Sequence, residues 1–229
     1  MGAAYSDSII RNGLKILLLG SYDKETKPIL RNLRKILNEK FERYVCTTVL
    51  LENIDIHKSS IEGIDIQLFI EKEDSQITMT IVRNGNQILE RLDVDESEFS
   101  STIGEKSKLI DYTKFRKLNQ LEKVGLLNEW ADIAYTIKHN ELTRGGELVE
   151  LTYILFTNAK RANIDAFKYN IFFQSNIVIS SMLEEIVKNF RIDTISYTDY
   201  PSLEEMAIQT TRNHIARLNV TIGRFTQFE

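Results

Sequence analysis

The residues whose types and spacing suit catalysis lie in one stretch, WADIAYTIKHNELTRGGELVELTYILF, at positions 130–156. Two carboxylates, Glu147 and Glu150, stand in the first turns of a helix that this stretch predicts. A carboxylate at such a place can act as a nucleophile or stabilise positive charge that develops on a substrate. Glutamates at a helix start are also favoured by the helix dipole alone. Glu150 is therefore predicted either as a catalytic residue or as an ordinary helix-start residue.

The residues around these glutamates could hold an anionic ligand. Backbone amides at a helix start can bind a phosphate, glycines let the backbone approach a ligand closely, and arginine can clamp a phosphate. The predicted binding residues of this stretch are Asp132, Arg144, Gly145, Gly146 and Glu147. Glu147 would weaken a phosphate site by its negative charge, and Arg144 would compensate for it.

Three junctions between predicted strands and the loops that follow them are expected to meet at one edge of a parallel sheet, where ligands bind in open α/β folds. They are the turn Gly20-Ser21-Tyr22, the segment that contains Asp132 and the loop 143–146, and the exit at 174–176. Gly20, Ser21 and Tyr22 are therefore predicted binding residues, and a turn that simply needs glycine is the other interpretation. The turn has neither the dinucleotide-binding glycine pattern nor a P-loop.

The order of elements predicts a single α/β domain over residues 1–229. Apolar runs typical of buried strands alternate with amphipathic helices, which favours a doubly wound, mostly parallel sheet of the flavodoxin- or Rossmann-like kind. The predicted strands cover 14–19, 44–51, 133–137, 169–173 and 192–197, and the predicted helices cover 26–41, 114–130, 180–190, 202–218 and a segment from 146 onward.

Residues 60–100 interrupt this alternation. Three runs with β character, at 64–70, 76–83 and 87–94, surround an Asn84-Gly85 pair that is typical of a tight hairpin turn. The segment is predicted to be an antiparallel β insertion that extends the sheet edge or forms a small subdomain. Exposed strands can recruit a partner by strand addition, so this hairpin is the predicted surface for a homo-oligomer or a protein partner. A decoration without a partner is the preferred interpretation of the insertion.

The run at 146–153, GELVELTY, resembles the G-[TP]-x-x-E-[LI]-[GA]-[YFL] helix start of nucleoside 2-deoxyribosyltransferase-like proteins and of their TIR-like, nucleotide-binding relatives. In that family the motif glutamate acts on the N-glycosidic bond, and here it would be Glu150. The resemblance implies a hydrolase or transferase acting on nucleosides or nucleotides, NAD among them. Glu147, Thr152 and Arg144 depart from the family pattern. These departures favour the alternative, a non-catalytic nucleotide-sensing or scaffold subunit of a larger, nucleic-acid-associated defence complex.

Composition and charge argue against several other classes of protein, namely nucleic-acid-binding, disulfide-bonded, membrane-spanning and metal-binding proteins. The net charge of −4 carries no nucleic-acid footprint, so contact with nucleic acid is expected only through a partner. The single cysteine, Cys46, cannot form an internal disulfide, which fits a reducing cytoplasm. No apolar run reaches the roughly 18–20 residues of a membrane span. The three histidines are widely spaced, so no metal site and no cofactor are predicted.

Basic residues also cluster on the predicted last helix. Arg212 and Arg217 lie there close to His214, and the arginine and lysine row of the first helix could add to the same surface. A solvated helix face is the preferred interpretation of this pattern.

Overall fold

A computed structural model describes residues 13–21, 23–44, 46–61, 63–73, 76–83, 87–95, 115–139, 146–159, 168–178 and 181–226. The strands are β1 Lys15–Gly20, β2 Thr47–Leu50, β3 Ile54–Ile61, β4 Ile64–Glu73, β5 Gln76–Arg83, β6 Gln87–Asp95, β7 Arg116–Lys117, β8 Ile133–Lys138, β9 Tyr169–Gln174 and β10 Asp193–Tyr197. The helices are α1 Thr26–Lys40, α2 Gln120–Trp130, α3 Gly146–Ala159, α4 Ser181–Phe190 and α5 Tyr200–Thr226.

The chain divides into two compact units. One unit combines residues 1–50 with 124–229, and the other covers residues 51–123. A five-stranded parallel sheet lies in the first unit and an antiparallel sheet in the second. The prediction of an α/β chain with a parallel sheet and an antiparallel insertion is therefore confirmed at that level.

The parallel sheet has the order β10-β9-β8-β1-β2. Its central strands are apolar on both faces, as strands covered by helices on both sides must be, and β1 is fully buried beyond Lys15. The chain places β2 on one side of β1 and then returns to place β8 on the other. This reversal creates a switch point between β1 and β8, and the carboxyl ends of these two strands border it.

The helices cover the two faces of the parallel sheet. Successive strand residues point to opposite faces, and one core cluster takes alternate residues of β1, Ile16 and Leu18, together with apolar residues of α1 and α5. Helix α3 packs on β1 and β8, yet its buried residues are not part of that cluster, so it covers the other face. The segment that carries Glu150 therefore lies across the sheet from α1 and α5.

The second unit is an antiparallel sheet of order β6-β5-β4-β3-β7. Alternate residues of β4 and β5 form its core, with Leu68, Ile77 and Ile81 among them. Strand β3 was not predicted, since only its first residues are apolar. The predicted β5–β6 pairing is confirmed, and the Asn84-Gly85 turn lies outside the described residues.

Two predicted helix boundaries were wrong. The helix expected from 114 begins at Gln120, because Arg116 and Lys117 pair with β3 and the amide of Leu118 donates to the carbonyl of Ile56 at 2.9 Å. Asn119 then caps the helix, with its side chain accepting from the Glu122 amide at 3.0 Å while Glu122 accepts from the Asn119 amide at 3.0 Å. Helix α5, expected to end near 218, continues to Thr226.

Candidate functional site

Gly20 ends β1 at the switch point, and its lack of a side chain serves packing. A Cβ built there would lie 2.9 Å from Cδ1 of Leu30 on α1 and 3.4 Å from the carbonyl oxygen of Ile137 on β8. Leu30 is fully buried in the core, so α1 approaches β1 this closely because residue 20 is glycine. Gly20 lies at the predicted edge of the sheet, and its close neighbours are the Leu30 side chain and the Ile137 carbonyl.

The turn after Gly20 is organised by Asp23. Its carboxylate accepts hydrogen bonds from the amides of Glu25 and Thr26, both at 2.8 Å, and from the Thr26 hydroxyl at 3.0 Å. Burial raises the pKa of Asp23, but the hydrogen bonds from Thr26, Ser21 and Glu25 outweigh it, and the net pKa is lowered. The Ser21 hydroxyl thus supports the start of α1. Tyr22, the third predicted residue of this turn, lies outside the described residues.

Glu150 lies on the sheet-facing side of α3, about one turn from its start. Its side chain is only 8 % exposed, whereas the neighbouring Val149 is 60 % exposed. Glu150 shares the buried stripe of the helix with Leu151 and Ile154, and α3 packs on the two strands that border the switch point. Burying a carboxylate is costly, so a glutamate at this position calls for a specific role.

The predicted phosphate clamp cannot be located. Gly146 is the first residue of α3, but Arg144, Gly145 and the side chain of Glu147 lie outside the described part of the chain. The binding roles assigned to these residues therefore stay predictions.

Asp132 lies at the opposite edge of the sheet from the other predicted site residues. It directly precedes β8, and its carboxylate accepts a hydrogen bond from the amide of Lys15 at 2.9 Å, where β1 begins. Gly20, at the other end of β1, is level with Ile137. At about 3.3 Å per residue the two ends of β1 lie roughly 16 Å apart. The expectation that Asp132 converges with Gly20 and the 143–146 loop is wrong, because the residue begins its strand instead of ending it.

The environment of Asp132 is that of a buried structural carboxylate. Burial raises its pKa, and the hydrogen bond from the Lys15 amide and the charges of Lys15 and Lys168 only partly oppose that rise. Its amide also donates to the carbonyl of Lys15 at 2.8 Å. Asp132 therefore ties the start of β8 to the start of β1.

The sequence prediction missed two residues at the carboxyl edge, His139 and Tyr197. His139 directly follows β8, and Tyr197 ends β10. Their rings are stacked with centroids 6.3 Å apart and an interplanar angle of 6°. The residue that follows β9 lies beside the end of β10, since the Ser175 amide donates to the Tyr197 carbonyl at 2.8 Å. His139 was noted only as one of three dispersed histidines, although its place directly after a predicted strand could have marked it.

Hydrogen bonds fix the orientation of the His139 ring. The Tyr197 hydroxyl lies 3.2 Å from the carbonyl oxygen of Lys138 and 3.1 Å from Nδ1 of His139. When the phenolic proton is directed to Lys138, Nδ1 donates to the phenolic oxygen, and when it is directed to Nδ1, that nitrogen accepts it. Nε2 is unprotonated in the first arrangement of the neutral ring and carries the proton in the second.

Other kinds of site find no support in the described residues. No group of three or more histidine, cysteine or acidic side chains there could hold a metal ion, and none of their helices is long and apolar enough to cross a membrane. Burial raises the pKa of Cys46 to about 11, so this thiol stays protonated near neutral pH and is a poor nucleophile.

Comparison with known proteins does not place the chain in a family. No protein-family model matches it, and no curated protein has a significantly similar sequence. The resemblance at residues 146–153 therefore depends on those residues alone.

Proposed function

We propose that this protein binds a nucleoside or nucleotide at the switch point of its parallel sheet and acts on the N-glycosidic bond, with Glu150 as the reacting carboxylate. The observation that carries the proposal is the burial of Glu150 on the sheet-facing side of α3, one turn from the helix start. A helix-start glutamate without a role would extend into water, where its charge is solvated at no cost.

The topology supports a ligand site at this place. Numbered within the sheet, the strand order is 2-1-3-4-5, which is the order of flavodoxin-like folds, and in such folds the ligand binds at the carboxyl ends of the strands that border the switch point. The proposed ligand crevice lies at the carboxyl ends of β1 and β8, beside the start of α3.

The chemistry proposed for Glu150 is attack on the anomeric carbon or stabilisation of its positive charge as the base departs. His139 lies at the same edge of the sheet and presents Nε2 as a group that can exchange a proton. The proposed step uses side chains and no metal. We place the reaction in the cytoplasm, since Cys46 is a packed thiol and not half of an internal disulfide.

The proposal is tested by incubating the protein with NAD and with nucleoside monophosphates and measuring the released base by chromatography. We expect base release by the wild type and a loss of at least about a hundredfold in Glu150→Gln. Glu185→Gln, which removes an exposed charge from α4, serves as the matched control and should keep full activity. Equal release by all three proteins would reject the role of Glu150.

A second function, nucleotide sensing or scaffolding without catalysis, is favoured by the turn after β1. The Leu30 side chain occupies the space beside Gly20, and Ser21 and Asp23 form hydrogen bonds at the start of α1. The described part of this turn therefore stabilises the fold. In such a protein β6, at the end of the antiparallel sheet order, would be the strand open to a partner. Saturable nucleotide binding without base release, unchanged in Glu150→Gln, would support this alternative.

A further inference from the structure

We propose that a groove between the end of α1 and the middle of α5 binds a compact, phosphate-bearing small molecule. The groove has a volume of about 480 Å³, and three cationic side chains, an aromatic ring and an apolar floor line it. The cations are Lys40, Arg43 and Arg212, the ring is Tyr44, and the floor includes Phe41 and Ile215.

The fold brings these cations together from separate parts of the sequence. Lys40 ends α1, Arg43 lies in the short 3-10 turn Glu42–Tyr44 that follows, and Arg212 comes from α5. Of the basic residues expected on the first and last helices, Lys40 and Arg212 thus line one groove. The carbonyl of Tyr44 accepts from the amide of Leu14 at 3.0 Å, so the groove lies at the amino edge of the sheet, away from the proposed Glu150 site.

The three cations lack acidic partners within the described residues. None of them forms an ion pair with a described carboxylate, although Lys35, on the same helix as Lys40, pairs with Glu39 at 4.0 Å. Three like charges that line one groove repel one another, even though Glu204 and Glu205 line the adjoining groove beside Lys40 and Arg212. An anion held between them would remove that repulsion, and the same cations would give it charge-assisted hydrogen bonds.

Arg43 is held in place before any ligand arrives. Its guanidinium lies over the Tyr44 ring, 4.6 Å from the ring centroid, and donates a hydrogen bond to the Tyr44 hydroxyl at 2.6 Å. Stacking leaves the edge of the guanidinium plane available, and that edge matches two oxygens of a phosphate group. Because the side chain is already ordered, less conformational entropy is lost on binding.

The surroundings of the groove favour a compact ligand over a long polymer. An adjoining groove of about 320 Å³ contains Glu204 and Glu205 beside Lys40 and Arg212, and these carboxylates would repel a polyanion that continued in that direction. The carbonyl end of α1 carries partial negative charge, which opposes an anion, so the three cations must supply the attraction. A volume of this size is typical of small-molecule sites.

The test is calorimetric titration of the full-length protein with inorganic tripolyphosphate at low salt. We expect saturable binding that weakens about tenfold in Arg43→Gln and again in Arg212→Gln, because each substitution removes charge-assisted hydrogen bonds. Lys188→Gln, which removes an exposed charge from α4 beside α3 and so on the other face of the sheet, should bind like the wild type. Thermal melting of each variant verifies that the fold is kept.

Two results would overturn the proposal. One is the absence of saturable binding, or equal affinity in the wild type and both arginine variants. The other is tighter binding of a short single-stranded oligodeoxythymidylate that displaces tripolyphosphate, since that would show a nucleic-acid surface in place of a small-molecule site. Neither result bears on base release by Glu150, which is measured separately.

Discussion

Gly20 shows how a residue can be placed correctly from sequence while its packing contacts stay hidden. A glycine after a buried strand is typical of ligand sites, where the backbone must approach a phosphate. The contacts of Gly20 are instead with Leu30 and Ile137, at distances that leave no room for a side chain. Sequence identifies the need for glycine, but only packing shows that a helix side chain occupies the space.

Two glycine substitutions of opposite effect test this interpretation. Gly20→Ala should lower the free energy of unfolding by about 1–2 kcal/mol, because Leu30 must shift within a filled core. Gly125→Ala, inside α2, should raise it by about 0.5–1 kcal/mol, because alanine favours a helix and its Cβ would only touch Tyr153 at 3.6 Å. Urea denaturation of both variants measures the difference, and a Gly20→Ala protein as stable as the wild type would contradict the packing argument.

His139 illustrates a second limit of sequence-based prediction at the residue scale. Its position after β8 is visible in the sequence, but its ring orientation depends on Tyr197, which is 58 residues away in the chain. Such a long-range hydrogen bond leaves no pattern in the sequence. Glu150 could be proposed from its local motif because the residues that mark it are neighbours.

At the scale of elements, the start of α1 depends on Asp23. The carboxylate satisfies amides at the first turn that have no partner inside the helix. Its pKa is below the usual value of 3.8, so its ionised form contributes stability in full above that value. The contribution is lost as the pH falls through the lower pKa of the folded state.

Two substitutions separate the cap from the charge. Asp23→Ala should lower the free energy of unfolding by about 1 kcal/mol near neutral pH, as loss of a capping side chain does. Asp23→Asn keeps an accepting oxygen, so it should lower the free energy of unfolding by less than Asp23→Ala does. Because asparagine does not titrate, this variant should also lose less stability than the wild type below about pH 4. Denaturation curves at neutral and acidic pH measure both effects. Identical acid sensitivity in the wild type and Asp23→Asn would disprove the role of the charge.

The elements that sequence predicts best are those with long apolar runs. β1, β8 and β9 were expected within a residue or two, because buried parallel strands are apolar throughout. β3 has two buried isoleucines, Ile54 and Ile56, followed by mostly polar residues, and β7 consists of Arg116 and Lys117 alone. These strands exist because of their pairing with neighbours, which no local pattern of hydrophobicity records.

At the scale of the whole molecule, the chain forms two units, and each contains its own core cluster. The unit of residues 51–123 has a core that includes Leu68, Met79 and Ile81, while the parallel sheet is built around a separate set of apolar side chains. The sequence indicated an insertion at 60–100 from its β pattern. The observed unit is longer at both ends, because β3 and β7 belong to the same sheet.

Separate cores predict separate responses to a cavity. Ile81→Ala should destabilise the antiparallel sheet by about 2–4 kcal/mol, and hydrogen exchange should show faster exchange in β3–β5 than in β1 and β8. Leu33→Ala, in the core of the other unit, should produce the reverse pattern. Uniform loss of protection across both units in either variant would show that they unfold together.

The central claim is that the buried Glu150 carboxylate acts on a ligand at the switch point, and one paired measurement tests it most directly. Nucleotide affinity and the rate of base release are compared in the wild type and Glu150→Gln under identical conditions. The account predicts a dissociation constant changed by less than about threefold and a rate reduced by at least about a hundredfold. An unchanged rate, or a rate lost together with affinity and melting temperature, would contradict it.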